Sequence, residues 1–226
     1  MNKFEIKVHD SNTNSINKTI DIEHVLIVGY GGRQMEKIRE HIRELEAIGV
    51  APPVTIPELY PQKIDVLTSD SHMKVKGKET SGEVEYVLFH DGQEWLVTVG
   101  SDHTDRHIET ISVIESKSAC PKPFSTEFWR LRDLEQHWDQ LILRSWSTVG
   151  NDRKQYQEHD LTALLPVSVL LSKLKEFGYD DLSQTIIFTG TVPTLEGFEY
   201  GNHFEFELYD PILKRSINGN YSISVE

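Results

Sequence analysis

The chain has 226 residues, and its 23 Lys and Arg stand against 36 Asp and Glu, which gives a formal charge of −13. This acidity argues against a nucleic-acid binder, which needs a basic face, and against docking on anionic lipid. No stretch approaches the roughly 20 apolar residues of a membrane span, and the charged first ten residues differ from a signal peptide. The only cysteine, Cys120, excludes an internal disulfide. We interpret it as a small buried residue of a cytoplasmic protein.

The first quarter of the chain predicts two strands followed by one amphipathic helix. Residues 3–9 alternate apolar and polar side chains, residues 10–17 favour a turn, and residues 19–28 favour a second strand. Residues 34–48 carry apolar side chains three and four apart, which predicts a helix. Gly49 is suited to its C-terminal cap.

The rest of the chain predicts a β-rich middle and two more helices. The turn signal Asp91-Gly92 joins two apolar runs into a predicted hairpin, and Asn218-Gly219 predicts a turn within a final strand region. The predicted strands are 83–89, 95–99, 184–189, 203–209 and 215–225, and the predicted helices are 125–145 and 161–177. Strands grouped at both ends with helices between them indicate an α+β fold with mixed sheets.

Two carboxylates stand two residues apart at the start of the predicted hairpin. Glu83 and Glu85 point to the same face of a strand. Two neighbouring carboxylates repel each other unless a cation lies between them. They are therefore either oxygen ligands for a hard divalent cation such as Mg²⁺ or Mn²⁺, or a solvent-facing strand edge.

A polar cluster follows the return strand of the hairpin. Asp102 could supply a third carboxylate to the same cation. His103 and His107, together with Asp102 or Asp105, also allow a site with two histidines and one carboxylate for iron. A solvated loop is the third interpretation.

Three further features could take part in chemistry. His41 and Glu44 lie three apart on the first helix, which suits a base and its orienting carboxylate or an ordinary surface pair. Lys117, near a proline-fixed turn after a strand, could hold an anionic substrate or be solvated. The turn at residues 190–193 could place the hydroxyl of Thr191 at the rim of a pocket, or be a plain turn.

In their order along the chain and in their local sequence, these fragments resemble the fumarylacetoacetate hydrolase superfamily. The resemblance is to an uncharacterised bacterial branch of it. The resemblance runs from about residue 24 to the C-terminus. It rests on a Gly-Arg turn, an H-x-x-E helix, an E-x-E strand, a D-x-[ST]-x-R loop, a following lysine and a late G-T-P turn. These motifs match Gly32-Arg33, His41–Glu44, Glu83–Glu85, Asp102–Arg106, Lys117 and Gly190–Pro193.

The resemblance implies an architecture like the C-terminal domain of that family. We expect a single α+β domain over residues 1–226 with several mixed β-layers, in which residues 1–23 form an N-terminal strand region. Members of the family are usually homodimers. Counted from Gly32-Arg33, His41 lies about one helical turn later than the histidine of some relatives. The segment over residues 85–102 is shorter than is usual in the family.

The resemblance also implies a division of labour among the candidate residues. It implies that Glu83, Glu85 and Asp102 bind one Mg²⁺ or Mn²⁺, which chelates a small oxo acid or dicarbonyl. The other implied roles are a water-activating base on a closing helix (His41), its orienter (Glu44), a lysine that stabilises developing negative charge (Lys117) and pocket-lining residues (Arg106 and Thr191).

The implied activity is hydrolysis of a C–C bond through a metal-stabilised enolate, because a divalent ion acts as a Lewis acid on the carbonyl oxygens. A decarboxylase or an isomerase would form the same enolate on the same site. A ligand-binding protein that retained the fold without catalysis is the remaining alternative.

Overall fold

A computed structural model describes residues 3–12, 14–47 and 49–226. The four α-helices of the described chain are α1 (Met35–Ala47), α2 (Arg106–Glu109), α3 (Val113–Ser118) and α4 (Val167–Glu176). The strands are β1 (Lys3–His9), β2 (Ser15–Asp21), β3 (His24–Gly29), β4 (Glu58–Gln62), β5 (Leu67–Thr68), β6 (His72–Val75), β7 (Thr80–Ser81), β8 (Val84–His90), β9 (Trp95–Ser101), β10 (Thr104–Asp105), β11 (Lys122–Pro123), β12 (Glu127–Arg130), β13 (Ile142–Val149), β14 (Asp152–Asp160), β15 (Thr185–Phe188), β16 (His203–Asp210) and β17 (Arg215–Val225).

Two mixed sheets dominate the architecture. The larger has the order β2-β1-β12-β9-β8-β15-β3-β4, and the smaller has the order β14-β13-β16-β17-β6. Parallel pairs occur in both sheets beside antiparallel ones, for example β15 with β3 and β17 with β6. Two short pairs, β10 with β7 and β11 with β5, lie outside these two sheets. The predicted α+β fold with mixed sheets is confirmed.

The core lies on both faces of the larger sheet. Alternate side chains of β8, such as Tyr86 and Leu88, join a cluster that includes Leu143 and Leu208 of the smaller sheet. The remaining side chains, such as Val87, belong to a second cluster on the other face. Because both faces are covered, β8 is a central buried strand, and a charged residue at its start is held in a protected position.

The β8–β9 hairpin forms as predicted. Gly92 has a φ of 90°, which glycine adopts without strain, and the Asp91 side chain accepts hydrogen bonds from the N–H groups of Gln93 and Glu94 at 2.8 Å. This turn fixes the register that places Val84 opposite Ser101.

Helix α1 follows β3 through a tight turn, as predicted. Its buried apolar side chains are Ile38 and Ile42, while Met35 is 43% exposed. Gly49 has a φ of 97°, in agreement with a cap, and the predicted last residue, Ile48, lies outside the described residues. The helix therefore buries a narrow apolar stripe.

The turn before α1 is anchored at two points. A Cβ on Gly31 would lie 2.5 Å from the backbone oxygen of Thr189, so this close approach requires glycine. The guanidinium of Arg33 pairs with both carboxylate oxygens of Asp139, at 2.9 and 2.6 Å, and its Nε donates to the carbonyl of Leu164 at 3.0 Å. The Gly-Arg pair thus fixes the entry to α1.

The predicted helix over residues 125–145 is wrong. The segment contains β12 and two 3₁₀-helices, Leu131–Asp133 and Glu135–Gln140, and then enters β13. Its apolar residues are buried, but a 3₁₀-helix also brings residues three apart together and so imitates the α-helical pattern.

Three other predicted boundaries are corrected. The predicted strand over residues 19–28 divides between β2 and β3. The predicted helix over residues 161–177 begins only after Pro166, because proline disfavours helical backbone in the residue before it. No turn interrupts β17, where a Cβ on Gly219 would lie 2.2 Å from the ring of Phe206. This glycine serves packing.

Candidate functional site

The hairpin register brings three carboxylates together. Asp102 follows β9 directly, and its N–H donates to the carbonyl of Glu83 at 3.0 Å. One oxygen from each of Glu83, Glu85 and Asp102 lies within 4.8 Å of the other two. Glu85 and Asp102 are only 2% and 1% exposed. The carboxylate cluster predicted from sequence is therefore observed, and the solvent-facing interpretation of the two glutamates is wrong.

Three cationic side chains contact this carboxylate cluster. The Nζ of Lys117 lies 2.9 Å from an oxygen of Glu83 and 2.6 Å from an oxygen of Asp102. The fully buried Lys122 lies 3.0 Å from the other oxygen of Asp102. Arg106 donates to the other oxygen of Glu83 at 3.0 Å. These contacts stabilise the negative charges of Glu83 and Asp102. Among the described residues, no cationic side chain contacts Glu85.

The electrostatic environment shifts the pKa values of Glu83 and Glu85 in opposite directions. Burial opposes ionisation of Glu83, but Lys117 and Arg106 outweigh it and hold the pKa of Glu83 below its usual range. Burial raises the pKa of Glu85 well above its usual range, and the charges of Asp102 and Glu83 raise it further. The N–H of Gly190 donates to Glu85 at 3.0 Å and opposes this rise only in part. Glu85 is therefore the carboxylate that most lacks positive charge.

The donor set fits a hard divalent cation. Three carboxylates supply oxygen ligands from two adjacent strand ends, and Mg²⁺ and Mn²⁺ prefer oxygen. Both oxygens of Asp102 lie at ion-pair distance from a lysine ammonium group, whereas Glu85 is 2% exposed and no cationic side chain among the described residues contacts it. A buried carboxylate without a positive partner favours a bound cation. Glu83, Glu85 and Asp102 could therefore hold the ion.

The cluster opens into a cavity of about 470 Å³. Its walls come from β3, α1, the α2–α3 segment, β14 and the turn after β15. The predicted site residues that line it are Glu44, Glu83, Glu85, Asp102, Arg106, Lys117 and Thr191. The side chain of His41 lies outside the described part of the chain, so its predicted role as base stays a prediction.

Two short helices deliver the cations. Asp105 caps α2, accepting from the N–H of Ile108 at 3.0 Å, and Arg106 is the first residue of that helix. Ser112 caps α3, which carries Lys117. The sequence predicts Lys117 near a proline-fixed turn, and the structure places it in α3, four residues before Pro121. Its buried ammonium also donates to the hydroxyl of Thr104 at 3.2 Å.

Arg106 is engaged on several sides. Besides Glu83, it donates to Glu109 at 2.9 Å and to the hydroxyl of Ser81 at 2.7 Å. Its guanidinium lies 4.1 Å from the ring centroid of Phe198. These contacts indicate that Arg106 orients Glu83 as well as lining the cavity.

Thr191 is held by protein partners. Its hydroxyl donates to the carbonyl of Val84 at 2.8 Å and accepts from Gln157 at 2.8 Å. Gln157 in turn accepts from the N–H of Val84 at 3.0 Å. This network ties the turn after β15 to the start of β8, where the carboxylates begin.

The histidines of the polar cluster do not join a metal centre. Nδ1 of His103 lies 2.9 Å from the hydroxyl of Tyr221, and burial, followed by the charges of Lys122 and Arg106, lowers the pKa of His103 well below its usual range. His107 lies on α2. Among the described residues, the grouping of Glu83, Glu85 and Asp102 is the one that could hold a metal ion. The iron alternative therefore has no support in the structure.

Sequence reasoning missed several residues around the site. Lys122 contacts Asp102 from the core, and its signal was a lysine between two prolines at a strand. Tyr30 lines the cavity with a φ of 57°, a conformation that is rare for a bulky residue and often occurs at functional sites. Burial, followed by the charges of Glu58 and Glu109, raises the pKa of Tyr30. Only the folded chain shows these neighbours.

Comparison with solved structures shows related folds. A fumarylacetoacetate hydrolase family protein from Yersinia pestis CO92 has a TM-score of 0.65 at 15% identity, over 96% of this chain and 100% of that one. A fumarylacetoacetate isomerase/hydrolase from Oleispira antarctica has a TM-score of 0.65 at 16% identity, over 96% and 99%. A 2-keto-3-deoxyarabinonate dehydratase has a TM-score of 0.63 at 14% identity, over 92% and 76%. No curated protein sequence matches the chain.

The fold is therefore that of the fumarylacetoacetate hydrolase family, as the sequence resemblance predicted. Within this class, residues 28–221 match the family model of a protein of unknown function, DUF2848, and the chain belongs to that family. Among the residues that the structure describes, no helix is long and apolar enough to cross a membrane.

Proposed function

We propose that this protein is a metal-dependent enzyme that hydrolyses a C–C bond of a small β-dicarbonyl or oxo acid, with Mg²⁺ or Mn²⁺ held by Glu83, Glu85 and Asp102. The observation that carries the proposal is the convergence of these three buried carboxylates within 4.8 Å at the wall of a cavity. Clustered carboxylates with perturbed pKa values in a cleft are typical of a functional site.

The bound ion would act as a Lewis acid on the carbonyl oxygens of the substrate. Cleavage beside a carbonyl leaves an enolate, and the ammonium of Lys117, which lines the cavity, would stabilise that negative charge. Arg106 holds Glu83 in position through its bond at 3.0 Å. Thr191 and Gln157 fix the turn whose Gly190 N–H orients Glu85. Each of these groups is fixed before the substrate arrives, which is the condition for electrostatic catalysis.

Helix α1 supplies the remaining roles. We assign His41 as the base that takes a proton from the attacking water and Glu44 as the residue that orients it. Glu44 lines the cavity. Because α1 buries a narrow stripe around Ile38 and Ile42, it could move as a lid that excludes bulk water after substrate binds.

A decarboxylase or isomerase of oxo acids on the same site is the second candidate. The names of two similar structures support this alternative, because one is an isomerase/hydrolase and the other is a dehydratase. Analysis of the products formed from oxaloacetate and from acylpyruvates separates these reactions from C–C hydrolysis.

The proposal is tested by metal-dependent turnover of acylpyruvates and by Glu85→Gln. Glu85 is a better target than Glu83, because Glu83 also bonds Lys117 and Arg106. We expect Mg²⁺ or Mn²⁺ to raise the melting temperature and support turnover, and Glu85→Gln to abolish both. The matched control is Glu36→Gln, whose side chain is 89% exposed. A metal response that survives Glu85→Gln would refute the proposal.

A further inference from the structure

The wall of the main cavity combines the carboxylate cluster with a broad apolar surface. Arg106 and Phe198 are in contact, so the apolar surface begins directly beside the charged groups. The apolar side chains that line the cavity are Val28, Ile38, Leu45, Val113, Val192 and Phe198. A site for a small charged acid alone would not need this surface.

The apolar surface continues into a second cavity of about 230 Å³. Leu45 and Phe198 line both cavities, and Val50 and Tyr200 extend the second one. Phe198 is 52% exposed, although it stands at the border between two cavities. Phe198 adjoins the other apolar side chains of the two cavities, and a contiguous exposed apolar patch marks a binding surface.

The volume of the main cavity also favours a ligand larger than a small oxo acid. Pockets of roughly 300–1,000 Å³ accommodate ligands of drug size. The main cavity, at about 470 Å³, falls in this range and exceeds the space that a four-carbon oxo acid fills. The remaining volume adjoins the apolar side chains.

The charges near the second cavity disfavour an anionic group there. Its acidic residues are Glu79 and Glu109, and its Arg106 already pairs with Glu83 and Glu109. Lys37 lines the main cavity and, among the described side chains of α1, is the one there that would favour a second carboxylate.

We propose that the substrate is an oxo acid or dicarbonyl acid with a bulky apolar group, aryl or branched alkyl. This group packs against Leu45 of α1 and Phe198 of the loop between β15 and β16. The inference rests on the proposed function, since the carboxylate cluster is taken to receive the oxo-acid end. The apolar group would complete the packing of α1 and thereby couple substrate binding to closure of the helix.

The test compares three 2-oxo acids that lack a β-carbonyl and cannot be cleaved as β-dicarbonyls. Their dissociation constants are measured calorimetrically with saturating Mg²⁺. Phenylpyruvate and 2-oxobutanoate share one head and differ in a phenyl or methyl end, and 2-oxoglutarate carries a distal carboxylate. We expect phenylpyruvate to bind about 30-fold more tightly than 2-oxobutanoate, from the additional apolar surface that it buries.

Variants locate the apolar group. Leu45→Ala keeps a strong helix former and should weaken phenylpyruvate at least about fivefold, while 2-oxobutanoate changes less than about twofold. Phe198→Leu in the loop should act in the same direction. Ile111→Ala, at a residue that is 74% exposed and outside both cavities, is the control.

The outcomes separate the inference from the proposed function. Equal affinity for phenylpyruvate and 2-oxobutanoate, or tighter binding of 2-oxoglutarate, would overturn the apolar subsite and leave the metal-dependent site standing. A loss of phenylpyruvate affinity in Leu45→Ala and Phe198→Leu, but not in Ile111→Ala, would support the subsite. Absence of Mg²⁺-dependent binding for all three acids would overturn the proposed function and the inference with it.

Discussion

Lys117→Met tests whether the lysine and a metal ion share the same carboxylates. The ammonium contacts Glu83 at 2.9 Å and Asp102 at 2.6 Å, and Lys117 is 7% exposed. Removing one partner of a buried ion pair costs about 3–5 kcal/mol, because the other charge stays buried without compensation. We expect the metal-free variant to lose this amount, which for a chain of this size lowers the melting temperature by roughly 6–20 °C.

Although Lys117→Met should destabilise the metal-free protein, it should increase the affinity for metal. A unit charge about 4 Å away interacts with roughly 4 kcal/mol at an effective dielectric constant of 20. Removing the positive charge should therefore raise the affinity for Mg²⁺ or Mn²⁺ at least about tenfold, so that metal restores much of the lost stability.

The assay is thermal unfolding with and without Mn²⁺, combined with calorimetric titration of the ion. Lys3→Met, at an exposed lysine in β1, is the control and should match the parent protein in both measurements. An unchanged metal affinity in Lys117→Met would show that the lysine does not face the ion, and the reasoning would be refuted.

Two pH predictions follow from the buried carboxylates. Burial raises the pKa of Glu85, so a metal ion that binds the ionised carboxylate competes with a proton, and metal affinity should increase with pH. Calorimetry in buffers of different ionisation enthalpy should detect proton release, and a pH-independent affinity would contradict this. Although burial opposes ionisation, bonds from Leu213 and His137 hold the pKa of Asp210 below its usual value. Its contribution is therefore complete above the unfolded pKa near 4 and is lost as pH falls through the folded pKa. Asp210→Asn should cost about 1.5–3 kcal/mol in urea unfolding at pH 7 and much less at pH 3, and an equal cost at both would count against it.

The sequence was sufficient for the carboxylate cluster because the chemistry is local. The turn at Asp91-Gly92 sets the hairpin register, and counting outward from it places Glu83 beside Asp102. The alternation of a strand then places Glu85 on the face of Glu83. These three residues could therefore be predicted without knowledge of the remaining fold.

The surroundings of the cluster could not be predicted in the same way. Lys122 and Phe198 reach the site through long-range packing, which no local pattern reports. The segment over residues 125–145 was predicted as a helix because its apolar spacing suits both helix types, and only tertiary contacts decide between them. The single domain over residues 1–226, the homodimer and the cytoplasmic location stay predictions.

The central claim is that three carboxylates bind one divalent cation, and anomalous diffraction from a crystal soaked in Mn²⁺ tests it most directly. The account predicts one strong manganese peak in contact with oxygens of Glu83, Glu85 and Asp102. A peak elsewhere with none at this cluster, or no peak at saturating Mn²⁺, would contradict the account.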